Sequence, residues 1–228
     1  MTATDARIQT SILAADGEVF TPGDVLARVT GPAHGVLRGE RVALNLTQRM
    51  SGIATLTASY VASVAGTRAR IVDTRKTTPG LRALERHAVR SGGGSNHRFS
   101  LSDAVLAKDN HLAVLMQHGG LSLTQALLLA RTRLSHTTHL EVEVDRLDQI
   151  EPVLAAGVDT IMLDNFSLAD LRAGVTLVAG RALIEASGGV NLSTVADIAA
   201  TGVDIISVGA LTHSVRSLDL GLDMSVGA

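Results

Sequence analysis

Six short runs of apolar and β-branched residues recur along the chain, and each ends in polar or glycine-rich residues. The runs cover 69–73 (ARIVD), 104–108 (AVLAK), 140–144 (LEVEV), 160–164 (TIMLD), 183–186 (LIEA) and 204–208 (DIISV). Segments with helical patterning separate them, at 80–91, 121–134, 147–156, 168–178 and 192–201. Strands that alternate with helices in this way predict βαβ units with a parallel sheet.

The spacing of these units favours a barrel. The last three recur about every 20 residues, close to the smallest repeat of a parallel α/β barrel. A full eight-fold barrel needs about 250 residues. Because only six strands are visible, we predict an incomplete, about six-stranded parallel α/β barrel. An open doubly wound sheet is the main alternative, although no G-x-G-x-x-G follows the first strand.

The chain before the first of these strands has a different pattern. Residues 42–65 are patterned as one long helix, interrupted near Ser51-Gly52, whose apolar and alanine positions predict packing against another helix or subunit. Residues 8–36 form a small β-rich piece with a hairpin signal at Asp16-Gly17. We therefore predict two parts: residues 1–40, joined by 211–228, and a barrel domain over 41–210.

Composition narrows the class of protein. The chain has 228 residues, 46% hydrophobic and 18% charged, enough to bury a sizeable core. It has no cysteine, which excludes disulfides, thiolate metal sites and cysteine nucleophiles. A net charge of −2 argues against a general nucleic-acid binder, and no apolar run reaches the ~18 residues of a membrane span. With no signal-like N-terminus, we expect a cytoplasmic protein without nucleic-acid or membrane partners.

Basic residues gather where the predicted strands end, the edge that carries the active site in parallel α/β folds. They are Arg75, Lys76, His97, Arg98 and Lys108. Only two of the 20 basic residues in the chain are lysines, and both belong to this set. Lysine is a compact charge with a tunable pKa, which arginine cannot replace. So many cations at one mouth predict a ligand with several negative charges.

Glycine loops follow the last two predicted strands. They contain Ser187, Gly188 and Gly189, then Gly209 and Ala210. Glycine lets backbone N–H groups approach a phosphate closely, and a following helix N-terminus adds its dipole. Two such loops in neighbouring late positions predict a phosphate site.

Carboxylates occupy two further strand ends. Glu143 and Asp164 lie on neighbouring strands, and Glu141 shares a strand face with Glu143. Facing carboxylates near a polyanion can hold Mg²⁺, bind sugar hydroxyls or shield a developing cation. The chain has neither H-E-x-x-H nor G-x-S-x-G, and His136 and His139 alone are poor evidence for zinc.

The chain resembles the decarboxylating quinolinate phosphoribosyltransferase family in eight stretches. They are ERVALNLTQRMSGIATLT (40–57), DTRKTTPGLR (73–82), GGGSNHR (92–98), LSDAVLAKDNH (101–111), EVEV (141–144), MLDNF (162–166), EASGGV (185–190) and GVDIISVGALTHSVRSLDLGLD (202–223). Together they cover nearly everything after about Ala14. The resemblance implies transfer of a phosphoribosyl group from phosphoribosyl pyrophosphate to quinolinate, giving nicotinate mononucleotide, pyrophosphate and CO₂ for NAD synthesis.

The resemblance also implies a role for each motif. Arg75, His97 and Arg98 would clamp the quinolinate carboxylates, and Arg41 would reach into the site of a neighbouring subunit in a homodimer or higher homo-oligomer. The implied catalytic set is Lys76, Lys108, Glu143 and Asp164. Its two acids would handle the ribose hydroxyls and Mg²⁺, directly or indirectly. The other implied binding residues, mostly around the 5′-phosphate, are Thr74, Ser187, Gly188, Gly189, Gly209, Ala210, Leu211, Thr212 and His213.

Family members usually carry several dozen more residues before the part that matches Ala14, in an N-terminal α/β sandwich over the barrel mouth. We therefore expect residues 1–40 and the segment after Leu211 to be a truncated remnant of that sandwich. Three other interpretations stay open. They are a related pyridine phosphoribosyltransferase or molybdenum-operon pyrophosphorylase-like protein, a non-catalytic paralogue that only binds phosphoribosyl ligands, and a Schiff-base aldolase using Lys76 or Lys108.

Overall fold

The computed structural model describes residues 1–117 and 120–225. Its strands are β1 (Gln9–Ile12), β2 (Ala27–Thr30), β3 (Arg70–Val72), β4 (Ala104–Ala107), β5 (His139–Val144), β6 (Thr160–Asp164), β7 (Leu183–Ser187) and β8 (Ile205–Ser207). Its α-helices are α1 (Ala33–Ser63), α2 (Arg82–Ser91), α3 (Asp109–Gln117), α4 (Leu123–Arg131), α5 (Ile150–Leu154), α6 (Leu168–Val178), α7 (Val195–Ala199) and α8 (Ala210–His213). Of these helices, none is both long and apolar enough to cross a membrane. The last residues of the predicted C-terminal segment, 226–228, lie outside the described residues.

Strands β3 to β8 form one parallel sheet in the order β3-β8-β7-β6-β5-β4. From β4 to β8 each strand pairs with the next along the chain, and β8 then pairs with β3. This is the cyclic order of a barrel that is open between β3 and β4. A doubly wound sheet instead reverses its order at a switch point. The predicted incomplete six-stranded barrel is therefore confirmed, and the open doubly wound alternative is wrong.

The segment after α2 spans the opening of the barrel. Ser95 pairs with Val72 in parallel register, and its carbonyl accepts the N–H of Asp73 at 3.2 Å. Three residues later, Arg98 Nη1 donates to the carbonyl of Ala104, the first residue of β4, at 2.9 Å. The segment thus links both edges of the sheet and carries basic side chains into the barrel mouth.

Side chains alternate between the two faces of this sheet. The outer face packs against the helices and forms the apolar core, with Val142, Ile161 and Ile184 completely or almost completely buried. By the strand register, the inner face of the barrel carries polar side chains: Glu141, Glu143, Asp164, Glu185 and Ser187. The hydrophobic effect therefore acts on the outer face, and the chemistry-bearing residues collect inside.

Helix α1 is longer than predicted. It runs unbroken from Ala33 to Ser63, so the predicted start at residue 42 and the predicted interruption at Ser51-Gly52 were wrong. Gly52 is buried against the C-terminal segment. A Cβ there would lie 3.1 Å from the carbonyl carbon of Arg216 and 3.3 Å from the Cα of Ser217. This glycine permits close packing of two segments instead of ending a helix.

The predicted β-rich piece before the barrel is an antiparallel hairpin of β1 and β2. Gly17 has φ +83° and lies in a turn with Asp16, but the two strands are joined by residues 13–26, so the hairpin turn predicted at Asp16-Gly17 was wrong. The piece is shorter than predicted, since residues 33–36 already belong to α1. The hairpin contacts the barrel domain through His87 on α2, whose Nε2 lies 2.8 Å from Asp16 Oδ2.

Candidate active site

Asp73 follows β3 and anchors the segment that carries the first basic residues. Its fully buried carboxylate accepts hydrogen bonds from Asn96 Nδ2 and from the backbone N–H of His97, both at 2.7 Å. Arg86 Nη1 lies 3.5 Å from the carboxylate and donates to the His97 carbonyl at 2.8 Å. Burial raises the pKa of Asp73 in spite of these partners. The carboxylate thereby places His97 and Arg98 at the barrel mouth.

His97 lies against two buried glutamates on the inner face of the sheet. Its Nε2 is 3.2 Å from Glu141 Oε2 and 3.5 Å from Glu185 Oε2. Burial acts to lower the pKa of His97, but the hydrogen bonds with the two carboxylates outweigh it and raise the pKa to about 10. Burial also raises the pKa of Glu141. Within the described residues, the Oε1 atom of each glutamate is buried without a hydrogen-bond partner.

The backbone N–H of Arg98 donates to His97 Nδ1 at 2.8 Å, so Nε2 is the ring nitrogen that faces the two carboxylates. Because the pKa of His97 is raised, the folded chain binds a proton on this imidazole more tightly than the unfolded chain. The resulting stabilisation is complete below pH 6.5 and is lost as pH rises through about 10.

Three arginines crowd the same side of the mouth. Arg98 donates Nη1 to the Ala104 carbonyl, and Arg82 donates Nη2 to the Arg98 carbonyl at 3.1 Å. Each keeps a buried Nε with no partner among the described residues. Burial lowers the pKa of Arg98, and repulsion from Arg75 and Arg82 adds to this. An anion would relieve the repulsion, and planar guanidinium groups suit a carboxylate. Arg82 was not among the site residues predicted from the sequence, although it is the last residue of the DTRKTTPGLR motif.

Lys108 and Glu143 form an ion pair across neighbouring strands. Lys108 follows β4, and its Nζ makes a short contact with Glu143 Oε2 on β5. The lysine side chain is 40% exposed and the glutamate side chain 15%, so the pair lies at the rim where a ligand can approach it. Asp164, at the end of β6, shares the inner face with Glu143. The structure thus brings the predicted lysine and acids to adjacent strand ends.

Lys76 follows β3, and the loop after β8 approaches it. A Cβ on Gly209 would lie 2.9 Å from His213 Nε2 and 3.4 Å from Lys76 Cδ, so this loop packs directly against both side chains. Thr212 Oγ1 donates to the Lys76 carbonyl at 2.7 Å, and Thr74 Oγ1 accepts the Lys76 N–H at 3.1 Å. The hydroxyl groups of both threonines therefore form hydrogen bonds with the backbone of Lys76.

The two glycine loops differ in what they expose. Gly188 and Gly189 have φ +91° and +62°, and no hydrogen bond in the described part of the chain engages their N–H groups. These donors can cradle a phosphate. In the second loop, Leu211 is fully buried in the apolar core, so only its backbone can contact a ligand. Helices α7 and α8 have five and four residues, so the N–H groups matter more than helix dipoles.

Arg49 on α1 ties the Lys76 loop to the rest of the domain. Its Nε and Nη2 both donate to Glu85 Oε1, at 3.0 and 2.7 Å. Nη2 also donates to Thr78 Oγ1 at 2.8 Å and to the Thr212 carbonyl at 2.7 Å. Glu85 is fully buried, and its Oε2 accepts the Thr78 N–H at 3.0 Å. This pair was not predicted from the sequence, since 36 residues separate its members.

Two family models match the chain. The N-terminal domain of quinolinate phosphoribosyl transferase matches residues 2–51, and the C-terminal domain of the same family matches residues 53–223. The second match alone covers more than half of the chain. The chain belongs to the quinolinate phosphoribosyltransferase family.

Individual family members agree. A probable nicotinate-nucleotide pyrophosphorylase (carboxylating) of Bacillus subtilis is 44% identical over 222 residues, which is 97% of this chain and 75% of the relative. The Mycobacterium leprae nicotinate-nucleotide pyrophosphorylase (carboxylating) is 47% identical, covering 92% and 72%. The crystal structure of NadC from Streptococcus pyogenes has a TM-score of 0.89 at 44% identity, covering 96% of this chain and 75% of that chain. The family resemblance is confirmed, and it begins at residue 2 instead of about Ala14.

Arg41 stands apart from the other site residues expected for a quinolinate phosphoribosyltransferase. It lies on α1 with its side chain 69% exposed, and its ion pair within the described residues is with Glu40, at 3.6 Å. In a single chain it faces solvent and does not join the mouth.

Two sets of carboxylates in this chain can be compared as metal ligands. Among the described residues, the ligand-type side chains close enough to share an ion are His97, Glu141 and Glu185. No sequence spacing reveals this group. Glu143 and Asp164 are carboxylates of the kind that binds Mg²⁺, because that ion is usually held by one or two carboxylates together with substrate phosphates.

Proposed function

We propose that this chain transfers the phosphoribosyl group of phosphoribosyl pyrophosphate to quinolinate, releasing pyrophosphate and CO₂ and leaving nicotinate mononucleotide. Membership of the quinolinate phosphoribosyltransferase family supports the reaction. The relatives' name, nicotinate-nucleotide pyrophosphorylase (carboxylating), describes its reverse. The observation that carries the proposal is the group of mutually repelling arginines facing a barrel interior lined with acids.

The arginine side of the mouth is proposed to bind quinolinate. This substrate is a dianion with two neighbouring carboxylates, and Arg75, Arg82 and Arg98 supply planar donor groups for it. His97 uses both ring nitrogens within the protein. Its part is therefore to orient Arg98 instead of donating to the substrate.

The lysines and the glycine loops of the mouth are proposed to bind phosphoribosyl pyrophosphate. The free N–H groups of Gly188 and Gly189 would take the 5′-phosphate, and Lys76 and Lys108 would offset the charge of the pyrophosphate. The pyridine nitrogen then attacks C1 of the ribose while pyrophosphate leaves. Glu143 and Asp164, on the inner face, would stabilise the positive charge that develops on the sugar.

Decarboxylation follows from the product of that step. Once the pyridine nitrogen is quaternary, the ring accepts the electron pair left at C2 when the carboxylate departs as CO₂. The C2 carbanion is then protonated. The protein contributes alignment of the two substrates and electrostatic stabilisation.

Magnesium is proposed as the metal of this reaction. Glu143 and Asp164 would hold it together with substrate oxygens, and when bound it would neutralise charge on the departing pyrophosphate. If EDTA does not lower the activity and added MgCl₂ does not raise it, the proposed role of magnesium is wrong.

A direct assay tests the proposed reaction. Release of labelled CO₂ from quinolinate carrying the label in its C2 carboxylate should require phosphoribosyl pyrophosphate and Mg²⁺. Nicotinate, which lacks that carboxylate, should not replace quinolinate. Binding of phosphoribosyl pyrophosphate without CO₂ release would favour a non-catalytic paralogue, and turnover of another pyridine would favour a related transferase.

Two substitutions link the reaction to the site. Lys108→Ala and Arg98→Ala should each lower turnover by at least about 100-fold, because each removes a charge that the transition state or substrate needs. Arg181→Ala, in an exposed ion pair away from the mouth, is the matched control and should leave turnover unchanged. Circular dichroism should show all three folded. Near-native rates in Lys108→Ala or Arg98→Ala would contradict the assignment.

We further propose a homodimer, or a higher oligomer, in which Arg41 completes the partner's site. The exposed Arg41 lies on α1 beside Leu37 and Val42, whose side chains are also exposed. A mixture of inactive Arg41→Ala and Lys108→Ala chains should regain about a quarter of the activity, because half of the dimers are mixed and each restores one of two sites. Sedimentation as a monomer at micromolar concentration, or no regain of activity, would refute this arrangement.

A further inference from the structure

Asn165, directly after β6, has an unusual backbone. Its φ is +57°, a left-handed conformation that only one other non-glycine residue in the described ranges shares, Ala179. Asparagine tolerates this conformation better than most side chains because its short polar group bonds locally. The contacts of the Asn165 side chain are therefore of interest, because this residue lies at the rim of the candidate site.

The backbone and side chain of Asn165 together contact both halves of the proposed sugar-phosphate site. Its Nδ2 donates to Asp164 Oδ2 at 2.7 Å, and its backbone N–H donates to the Ser187 carbonyl at 2.8 Å. A Cβ on Gly188 would lie 2.6 Å from Asn165 Cγ and 2.9 Å from its backbone nitrogen. The amide thus occupies the space that the glycine leaves free.

The orientation of this amide follows from its neighbours. A carboxylate only accepts hydrogen bonds, so the NH₂ group must face Asp164 and the carbonyl must face Gly188. One oxygen of Asp164 is held in this way. In the part of the chain that the structure describes, no hydrogen bond engages its other oxygen, Oδ1.

We propose that Asn165 is a positioning residue for phosphoribosyl pyrophosphate, coupling the Asp164 carboxylate to the Ser187–Gly189 loop. This inference rests on the proposed function, in which the carboxylate meets the ribose and the loop meets the 5′-phosphate. The left-handed backbone turns the Asn165 amide back over Gly188, so one residue sets the distance between the two ligand-binding elements. Quinolinate, on the arginine side of the mouth, does not depend on it.

Two substitutions separate the amide from the backbone conformation. Asn165→Gly keeps φ accessible and removes the amide, so the chain should fold normally. Its KM for phosphoribosyl pyrophosphate should rise about 10- to 100-fold, the range expected when a hydrogen bond to a charged group is lost. Asn165→Asp keeps the shape but places a second carboxylate beside Asp164, and should raise that KM at least as much. The KM for quinolinate should stay within about twofold of wild type in both.

Ala179→Gly is the matched control. It changes the other left-handed non-glycine residue, at the end of α6 away from the mouth, and should leave both KM values unchanged. A purely structural role of Asn165 would lower the melting temperature or affect both substrates alike. A wild-type KM for phosphoribosyl pyrophosphate in Asn165→Gly or Asn165→Asp overturns the proposal, and so does an equal rise in both KM values.

Calorimetric titration with phosphoribosyl pyrophosphate and Mg²⁺ separates this proposal from the proposed reaction. If the wild-type chain shows no CO₂ release, the reaction fails. The positioning role is then decided by binding alone. Weaker binding to Asn165→Gly than to wild type supports it, and equal binding overturns it.

Discussion

Replacing Arg49 by methionine should strongly destabilise the folded chain, because it leaves the buried Glu85 without a countercharge. Glu85 is fully buried, and Arg49 supplies two of its hydrogen bonds on Oε1. The same guanidinium also satisfies the Thr212 carbonyl and the Thr78 hydroxyl. Methionine matches much of the arginine stem but offers no donor. One substitution therefore removes four hydrogen bonds and the only countercharge in contact with Glu85 among the described residues.

The magnitude follows from the burial of the two partners. Removing one partner of a buried ion pair costs about 3–5 kcal/mol. Arg49 is 26% exposed, so water can reach part of the vacated space and the lower end applies. We expect a loss of about 3 kcal/mol in the free energy of unfolding.

Urea unfolding followed by circular dichroism measures these changes. Arg181→Met is the matched control, since Arg181 makes a two-point ion pair with Glu151 that is exposed on both sides, and it should not alter the midpoint measurably. The double variant Arg49→Met/Glu85→Met should recover much of the loss, because it removes the stranded charge. A loss below about 1 kcal/mol in Arg49→Met, or no recovery in the double variant, would refute the reasoning.

The same pair has a functional consequence. Thr212, whose carbonyl Arg49 holds, donates its hydroxyl to the Lys76 carbonyl. Arg49→Met should therefore loosen the loop that presents Lys76. At temperatures where the variant is still folded, its KM for phosphoribosyl pyrophosphate should rise while Arg181→Met stays at the wild-type value.

Two further predictions concern packing and pH. Gly52→Ala should lower the free energy of unfolding by about 1–3 kcal/mol in urea titrations, because the new Cβ meets the Arg216 backbone; a gain, as expected for alanine in an open helix, would contradict this. Because the folded chain raises the pKa of His97 to about 10, wild-type stability should fall as pH rises from 6.5 towards 10. The fall is at most about 5 kcal/mol and should be smaller in His97→Gln; parallel pH profiles would contradict it.

Much of the barrel could be predicted because local pattern and topology agree there. The expected strand 160–164 and helix 168–178 coincide with β6 and α6. The start of α6 is set by a residue with a clear local role, since Ser167 caps this helix by accepting the Asp170 N–H. Strand ends elsewhere shifted by a residue or so, where pairing with a neighbouring strand, and not local preference, decides the boundary.

The unbroken course of helix α1 could not be predicted from the local sequence pattern. A glycine inside a helical pattern normally lowers helix stability, so Gly52 predicts a break. Its actual role depends on Arg216, which packs on it from the far end of the chain. The gain from close packing of the two segments outweighs the intrinsic cost of glycine, and no window of neighbouring residues contains that information.

The candidate site also has a part that could be predicted from the sequence and a part that could not. The rule that parallel strands end at one edge was enough to bring Lys108, Glu143 and Asp164 to adjacent positions. It could not reveal which groups neutralise one another, because those pairings join residues far apart, as Glu185 and His97 do. These pairings matter for function. The arginines of the candidate anion site repel one another in the chain without a ligand. The buried carboxylates near them lower the electrostatic free energy of holding these arginines close together. Sequence can therefore locate the cations of this site, but only the fold shows why they stay assembled without a substrate.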